Sequence, residues 1–148
     1  MYSWIDDIVL GLKDSCKTYN VYEIYDELNI IIRKIDPSSI LLHGNDSLYT
    51  RDYLDSEFVL IRNDLDENLE RFILFHELGH ALLHVDVVRA AFNQKCLNKH
   101  KLEKQANYFA LKMLNLKFDS IEMEGMTLEQ IASYMQIPYE PLLQLSNL

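Results

Sequence analysis

His76-Glu77-Leu78-Gly79-His80 sets two imidazoles four residues apart, with a carboxylate beside the first. On an α-helix, residues four apart lie on one face, one turn above the other. Both rings can therefore hold a single metal ion from the same side, and Glu77 can reach a water beside it. This is the arrangement for zinc-dependent peptide hydrolysis. The metal acidifies a bound water, and the carboxylate takes its proton as a scissile carbonyl is attacked. Three fixed letters recur by chance in about 1 of 8,000 windows, so the setting has to carry the reading. Arg71 to His84 is apolar and free of proline, the pattern of a buried helix. Histidines buried there need partners: a metal, or backbone carbonyls of the core.

Catalytic zinc takes three protein ligands and keeps a fourth position open. A third histidine six residues after the second, as in metzincins, is not present: that position is Asp86 and the expected glycine before it is absent, which argues against that subclass. The candidate is Glu103, on a later amphipathic helix, giving one zinc ion per chain. Asn107 lies one turn on, where it can accept a hydrogen bond from a ligand imidazole and fix its tautomer. His84 is a further turn along the ligand face. It either lines the cleft or favours the negative end of the helix dipole. Tyr49 and Tyr53 can flank an extended substrate or pack as ordinary strand residues. Cys96 reads as a small buried thiol beside a complete His/His/Glu set. His43 and His100 have no supporting pattern.

The elements that must position these groups are legible from periodicity. Trp4, Ile5, Ile8, Val9 and Leu12 predict a first helix. Asn20 with Glu23 forms a capping box for a second, with Val21, Ile24, Tyr25 and Leu28 inward. Ile30–Ile35 is β-branched and predicts a strand. Turn residues follow at Asp36–Ser39 and Gly44–Asp46. Leu48–Leu54 and Phe58–Ile61 predict two more strands, antiparallel about Asp55-Ser56-Glu57, and so a small antiparallel sheet of about three strands. Asp64 with Glu67 is the expected cap of the motif helix, which runs to about Asp86. Gly79 inside it costs about 1 kcal/mol against alanine. Either another backbone or substrate approaches closely there, or the glycine is merely tolerated. Lys99–Leu114 is amphipathic, with Leu102, Ala106, Phe109, Ala110 and Met113 on one side. Thr127 and Gln130 form another capping box for a helix to Met135, Pro138 breaks it, and a last turn or helix ends the chain.

At 148 residues, 49% hydrophobic and 25% charged, the chain reads as one α+β domain: a core over residues 1–118 and a short helical extension over 119–148. No apolar run is long enough to span a bilayer, so no membrane partner is expected. The start carries Asp6 and Asp7 and no basic segment, so it is not read as a secretory signal. Two cysteines, Cys16 and Cys96, read as free thiols in a reducing cytoplasm. The net charge of −9 repels phosphate backbones and argues against direct nucleic-acid binding, while suiting a basic protein substrate.

Two segments, FILFHELGHALLH over Phe72–His84 and EKQANYFA over Glu103–Ala110, resemble the ImmA/IrrE family of metallopeptidases of bacteria, their phages and mobile elements. Members show a HELGHxLLH block, then an ExEANxFA block, after a small sheet. The resemblance runs from about Tyr22 to Leu145. It implies a compact zincin-like domain of the gluzincin type, with zinc on His76, His80 and Glu103 and with Glu77 catalytic. It further implies a helix-turn-helix repressor as substrate, cleaved to release silenced genes. Gln105 departs from the pattern, standing where the family often has a second glutamate, and Leu114-Asn115-Leu116 replaces a frequent LLMP.

Two other readings compete. Thr127 to Leu143 looks like part of a helix-turn-helix, as in a DNA-binding regulator. From Asp119 onward, however, there are five acids and no lysine or arginine to contact phosphate. A non-proteolytic antirepressor would bind its repressor without turnover, and the intact HExxH argues against it.

Overall fold

The computed structural model describes residues 2–52, 54–84, 99–116 and 119–146. Helices α1 (Ser3–Cys16) and α2 (Val21–Glu27) lead into a sheet of β1 (Ile30–Ile35), β2 (Ser47–Arg51) and β3 (Glu57–Arg62). Then come α3 (Glu67–Leu83), α4 (Lys99–Met113), α5 (Leu128–Met135) and α6 (Tyr139–Ser146). The fold is mixed α+β, as the periodicities predict. No helix among the described residues is long and apolar enough to cross a membrane.

The sheet is not wholly antiparallel. Its order is β1-β3-β2: β2 pairs antiparallel with β3, but β1 pairs parallel with it. The reason lies in the connection after β1. Asp36 accepts from the Ser38 backbone N–H at 2.8 Å, and Ser39 caps a single 3-10 turn over Ile40–Leu42. The fully buried Leu42 anchors that turn. The chain thus returns before β2 begins, and the hairpin then brings β3 down the middle in the direction of β1. Alternation within strands gives β3 an inner face of Glu57, Val59 and Ile61, with Val59 and Ile61 fully buried. Register sets Ile32 and Tyr49 on either side of Val59, and Lys34 and Ser47 on either side of Ile61. Those last two side chains therefore point at α3: Lys34 pairs with Glu70 at 3.1 Å, and Ser47 reaches Glu77.

The cap of α3 is Asp66, not Asp64. Asp66 accepts from the Leu69 N–H at 2.9 Å, while both oxygens of Asp64 are taken by the Arg62 guanidinium at 2.6 and 2.7 Å. The helix ends at Leu83, short of Asp86, and the His84 N–H donates to the His80 carbonyl. Asn20 caps α2 by accepting from Tyr22 and Glu23, but the Glu23 carboxylate turns to the Thr18 hydroxyl at 2.5 Å, so the box is half formed. The box at Thr127 and Gln130 is complete.

Helix α3 is buried along most of its length. Leu74, Phe75 and Leu78 are fully enclosed, each contributing about 1.5–3 kcal/mol of burial. The hydroxyl of buried Tyr25 donates to the Leu74 carbonyl at 2.5 Å, joining α2 to α3. Gly79 has a packing reason: a Cβ there would lie 3.2 Å from the Ala106 Cα, 3.4 Å from the Ala106 carbonyl oxygen and 3.2 Å from the Phe109 ring. Backbone cannot swing aside as a flexible side chain can. Gly79→Ala is expected to lose up to about 2 kcal/mol, because overpacking costs about 1–3 kcal/mol and the helix-propensity gain returns about 1. Denaturant unfolding checks it, and a variant about 1 kcal/mol more stable than the parent, the bare propensity gain, would show that the close approach carries no cost.

Helices α5 and α6 close against α4. Ala132, Ile137 and Leu142 form a smaller buried cluster with Leu111, Leu114 and Leu128 packed on it. Asn68 of α3 donates to Gln136 at 2.6 Å, tying the pair to the start of the motif helix.

Candidate metal centre

The contact of α3 with α4 at Gly79 brings Glu103 over the two motif histidines. His76 and His80 Nε2 lie 3.1 Å apart, and the Glu103 carboxylate reaches them at 3.2 and 3.1 Å. Each of the three residues offers a ligand atom within 4.8 Å of the others. Tetrahedral bonds of about 2.0–2.1 Å to nitrogen and oxygen require donors about 3.3 Å apart. The observed separations fall just inside that edge, and two imidazoles with one carboxylate suit a borderline-soft divalent cation. The residues present therefore fit such an ion.

The three groups are also coupled electrostatically. Hydrogen bonds from His76 and His80 hold the Glu103 carboxyl well below the usual carboxylate range, outweighing its partial burial. Burial pulls His76 downward, but Glu103 and the charge of Glu77 prevail and leave it above the ordinary histidine value. Glu77 is buried, and its Oε1 accepts from the Ser47 hydroxyl at 2.5 Å.

Both histidines are held from behind. His76 Nδ1 faces Asn107 Oδ1 at 2.7 Å, and the Asn107 amide in turn donates to Gln144 of α6 at 2.8 Å. His80 Nδ1 faces His84 Nδ1 at 3.0 Å, and His84 Nε2 faces the Gln105 side-chain oxygen at 3.1 Å. His84 is buried and, through burial first, sits below its ordinary pKa. Its main contact is thus His80 and not open solvent, although it also borders the cleft.

The group opens on a cleft of about 920 Å³. It is lined by Ser47, Leu48 and Tyr49 of β2, by Leu69, Phe72 and Ile73 of α3, and by Pro138, just before α6, and Pro141 within it. The Tyr49 hydroxyl donates to Glu57 at 2.5 Å and accepts from Arg51 at 2.8 Å, so it is already engaged. Tyr53 and Cys96 lie outside the described residues.

Sequence reasoning missed Ser47, Gln144 and the partner of His84. The first two are brought in by strand register and by docking of the last helix, which leave no local pattern. Gln105 did carry a signal, as a departure from the family pattern, but the contact it makes runs across helices.

The chain matches a peptidase family model, the IrrE N-terminal-like domain, over residues 26–147. It is 36% identical over 131 residues to Metallopeptidase ImmA of Bacillus subtilis (strain 168), covering 82% of this chain and 71% of that protein. It is 29% identical over 142 residues to an uncharacterized immunity region protein 2 of Bacillus phage phi105, covering 94% of this chain and 87% of the relative. No solved structure is a significant match. A model that spans most of the chain, a metallopeptidase relative of this identity and a convergent His/His/Glu group agree: the chain belongs to the ImmA/IrrE family of metallopeptidases.

Proposed function

We propose that this protein is a cytoplasmic zinc-dependent endopeptidase that cleaves a helix-turn-helix repressor and so releases silenced phage or mobile-element genes. The observation that carries the chemistry is the triangle of His76, His80 and Glu103, at separations close to those of a tetrahedral ion, with the buried Glu77 carboxylate on the helix of the two histidines. When bound, zinc supplies the Lewis acidity that activates water and polarises a peptide carbonyl. Glu77 takes a proton from the attacking water and returns it to the departing amine. The Ser47 hydroxyl holds one oxygen of Glu77, which leaves the other for the proton transfer. Asn107 accepts the Nδ1 proton of His76, keeping Nε2 free as a ligand.

Strand β2 is a sheet edge, and Ser47 to Tyr49 border the cleft. A substrate segment can add there as a further strand, held by backbone hydrogen bonds. Leu48, Leu69, Phe72 and Ile73 favour a bulky apolar side chain beside the scissile bond. A protein substrate suits the acidic surface better than DNA does: α5 and α6 carry no basic residue and pack onto α4. The name of the phage relative, an immunity region protein, supports the repressor as the substrate. The test is to incubate zinc-loaded protein with the repressor encoded beside its gene and read the products by mass spectrometry. Cleavage at a defined bond with an apolar neighbour is expected. An intact repressor, with derepression in cells persisting in a Glu77→Gln variant, would instead establish a non-proteolytic antirepressor.

A further inference from the structure

His84 and Gln105 are both buried, with relative exposures of 4% and 7%, and neither touches the reacting region through a charge. Their geometry nevertheless bears on His80. Only one proton can sit between His80 Nδ1 and His84 Nδ1, 3.0 Å apart. The row has two directions. With the Gln105 oxygen facing His84 at 3.1 Å, as here, His84 carries its proton on Nε2 and donates it to that oxygen. His84 Nδ1 then accepts from His80 Nδ1–H, and His80 Nε2 is left as a bare lone pair beside His76 and Glu103. With the amide turned to offer its NH2 group, the row reverses. His80 then carries its proton on Nε2 and has no lone pair to give.

We propose that His84 and Gln105 form a hydrogen-bond relay that selects the metal-binding tautomer of His80. This rests on reading the group as a divalent-metal site. No net charge moves in the switch; one proton changes side in each bond. The identity of residue 105 sets how firmly the direction is fixed. A glutamine presents either an acceptor or a donor. A carboxylate only accepts, so Gln105→Glu locks the binding direction, and Gln105→Leu removes the acceptor. Both residues are positioning groups, since neither reaches the ion.

The test measures zinc affinity by competition with a chromophoric chelator for the parent, Gln105→Leu, Gln105→Glu and His84→Ala. Long-range nitrogen–proton NMR of the histidine rings reads the tautomers. Gln105→Leu and His84→Ala are expected to weaken zinc binding about 10-fold or more, the usual scale for groups that orient a ligand. Gln105→Glu is expected to bind as tightly as the parent or more so. In zinc-loaded parent, His84 should carry its proton on Nε2 and His80 on Nδ1. Folded Gln105→Leu and His84→Ala proteins binding within about twofold of the parent, or a His84 protonated on Nδ1, would overturn the relay alone. A parent that takes up no zinc would overturn the metal reading and the relay with it. Should Gln105→Leu fail to fold, the parent tautomers and the Gln105→Glu affinity still decide.

Discussion

Glu77→Gln is expected to leave the metal in place and to lower the rate of peptide cleavage by about 10²–10⁴-fold, the range for a lost general base. The substitution is nearly isosteric. Glutamine keeps a side-chain oxygen that can accept the Ser47 hydroxyl, so the buried position should remain filled and bonded. What it loses is the ability to take a proton from water. Metal content, substrate affinity and thermal stability should therefore stay close to the parent while turnover falls. A turnover-specific loss would be the mark of a proton acceptor. A variant that still cleaves at the parent rate would move the base elsewhere, and one that loses metal would make Glu77 a structural residue.

Glu103→Ala is expected to remove metal binding in the working range, a loss of at least about 100-fold, because it deletes a ligand outright where removal of a merely orienting group already costs about 10–100-fold. The carboxylate also supplies the only counter-charge placed by this triangle against the two imidazoles at 3.1–3.2 Å. Its side chain is 40% exposed, so deletion leaves little cavity and the metal-free protein should fold. The clearest readout is therefore linkage. Free metal at a thousand times its dissociation constant stabilises a folded protein by about 4 kcal/mol. For a chain of this size that is a rise in Tm of about 10 °C. The parent should show such a rise with zinc, and Glu103→Ala should show at most about a third of it at the same concentration. An equal rise in both would place the ion somewhere else.

The residues that converge at the candidate site were more legible in the sequence than the contacts that support them. His76, Glu77 and His80 are fixed by helical spacing alone, and Glu103 and Asn107 lie one turn apart on a helix whose apolar stripe tells which side is buried. Short-range rules suffice for both. The parallel pairing of β1 with β3 was not legible, because it depends on how residues 36–46 cross over and not on the strand residues themselves. Ser47 reaches Glu77 only because that register turns alternate β2 residues toward α3. Asp66 in place of Asp64 at the helix start follows from a competing guanidinium, Arg62, on the preceding strand. The end of the chain reads only as a last turn or helix, yet its Gln144 steadies Asn107 and through it His76. Each of these depends on a contact distant in sequence, where local periodicity carries no information.

Elemental analysis of protein purified under metal-replete conditions, joined to anomalous scattering at the zinc edge, bears most directly on the whole account. One zinc per chain is predicted, bonded at about 2.0–2.2 Å to His76, His80 and Glu103 and absent from Glu103→Ala. Protein that holds no stoichiometric metal, or holds it away from those three side chains, would contradict it.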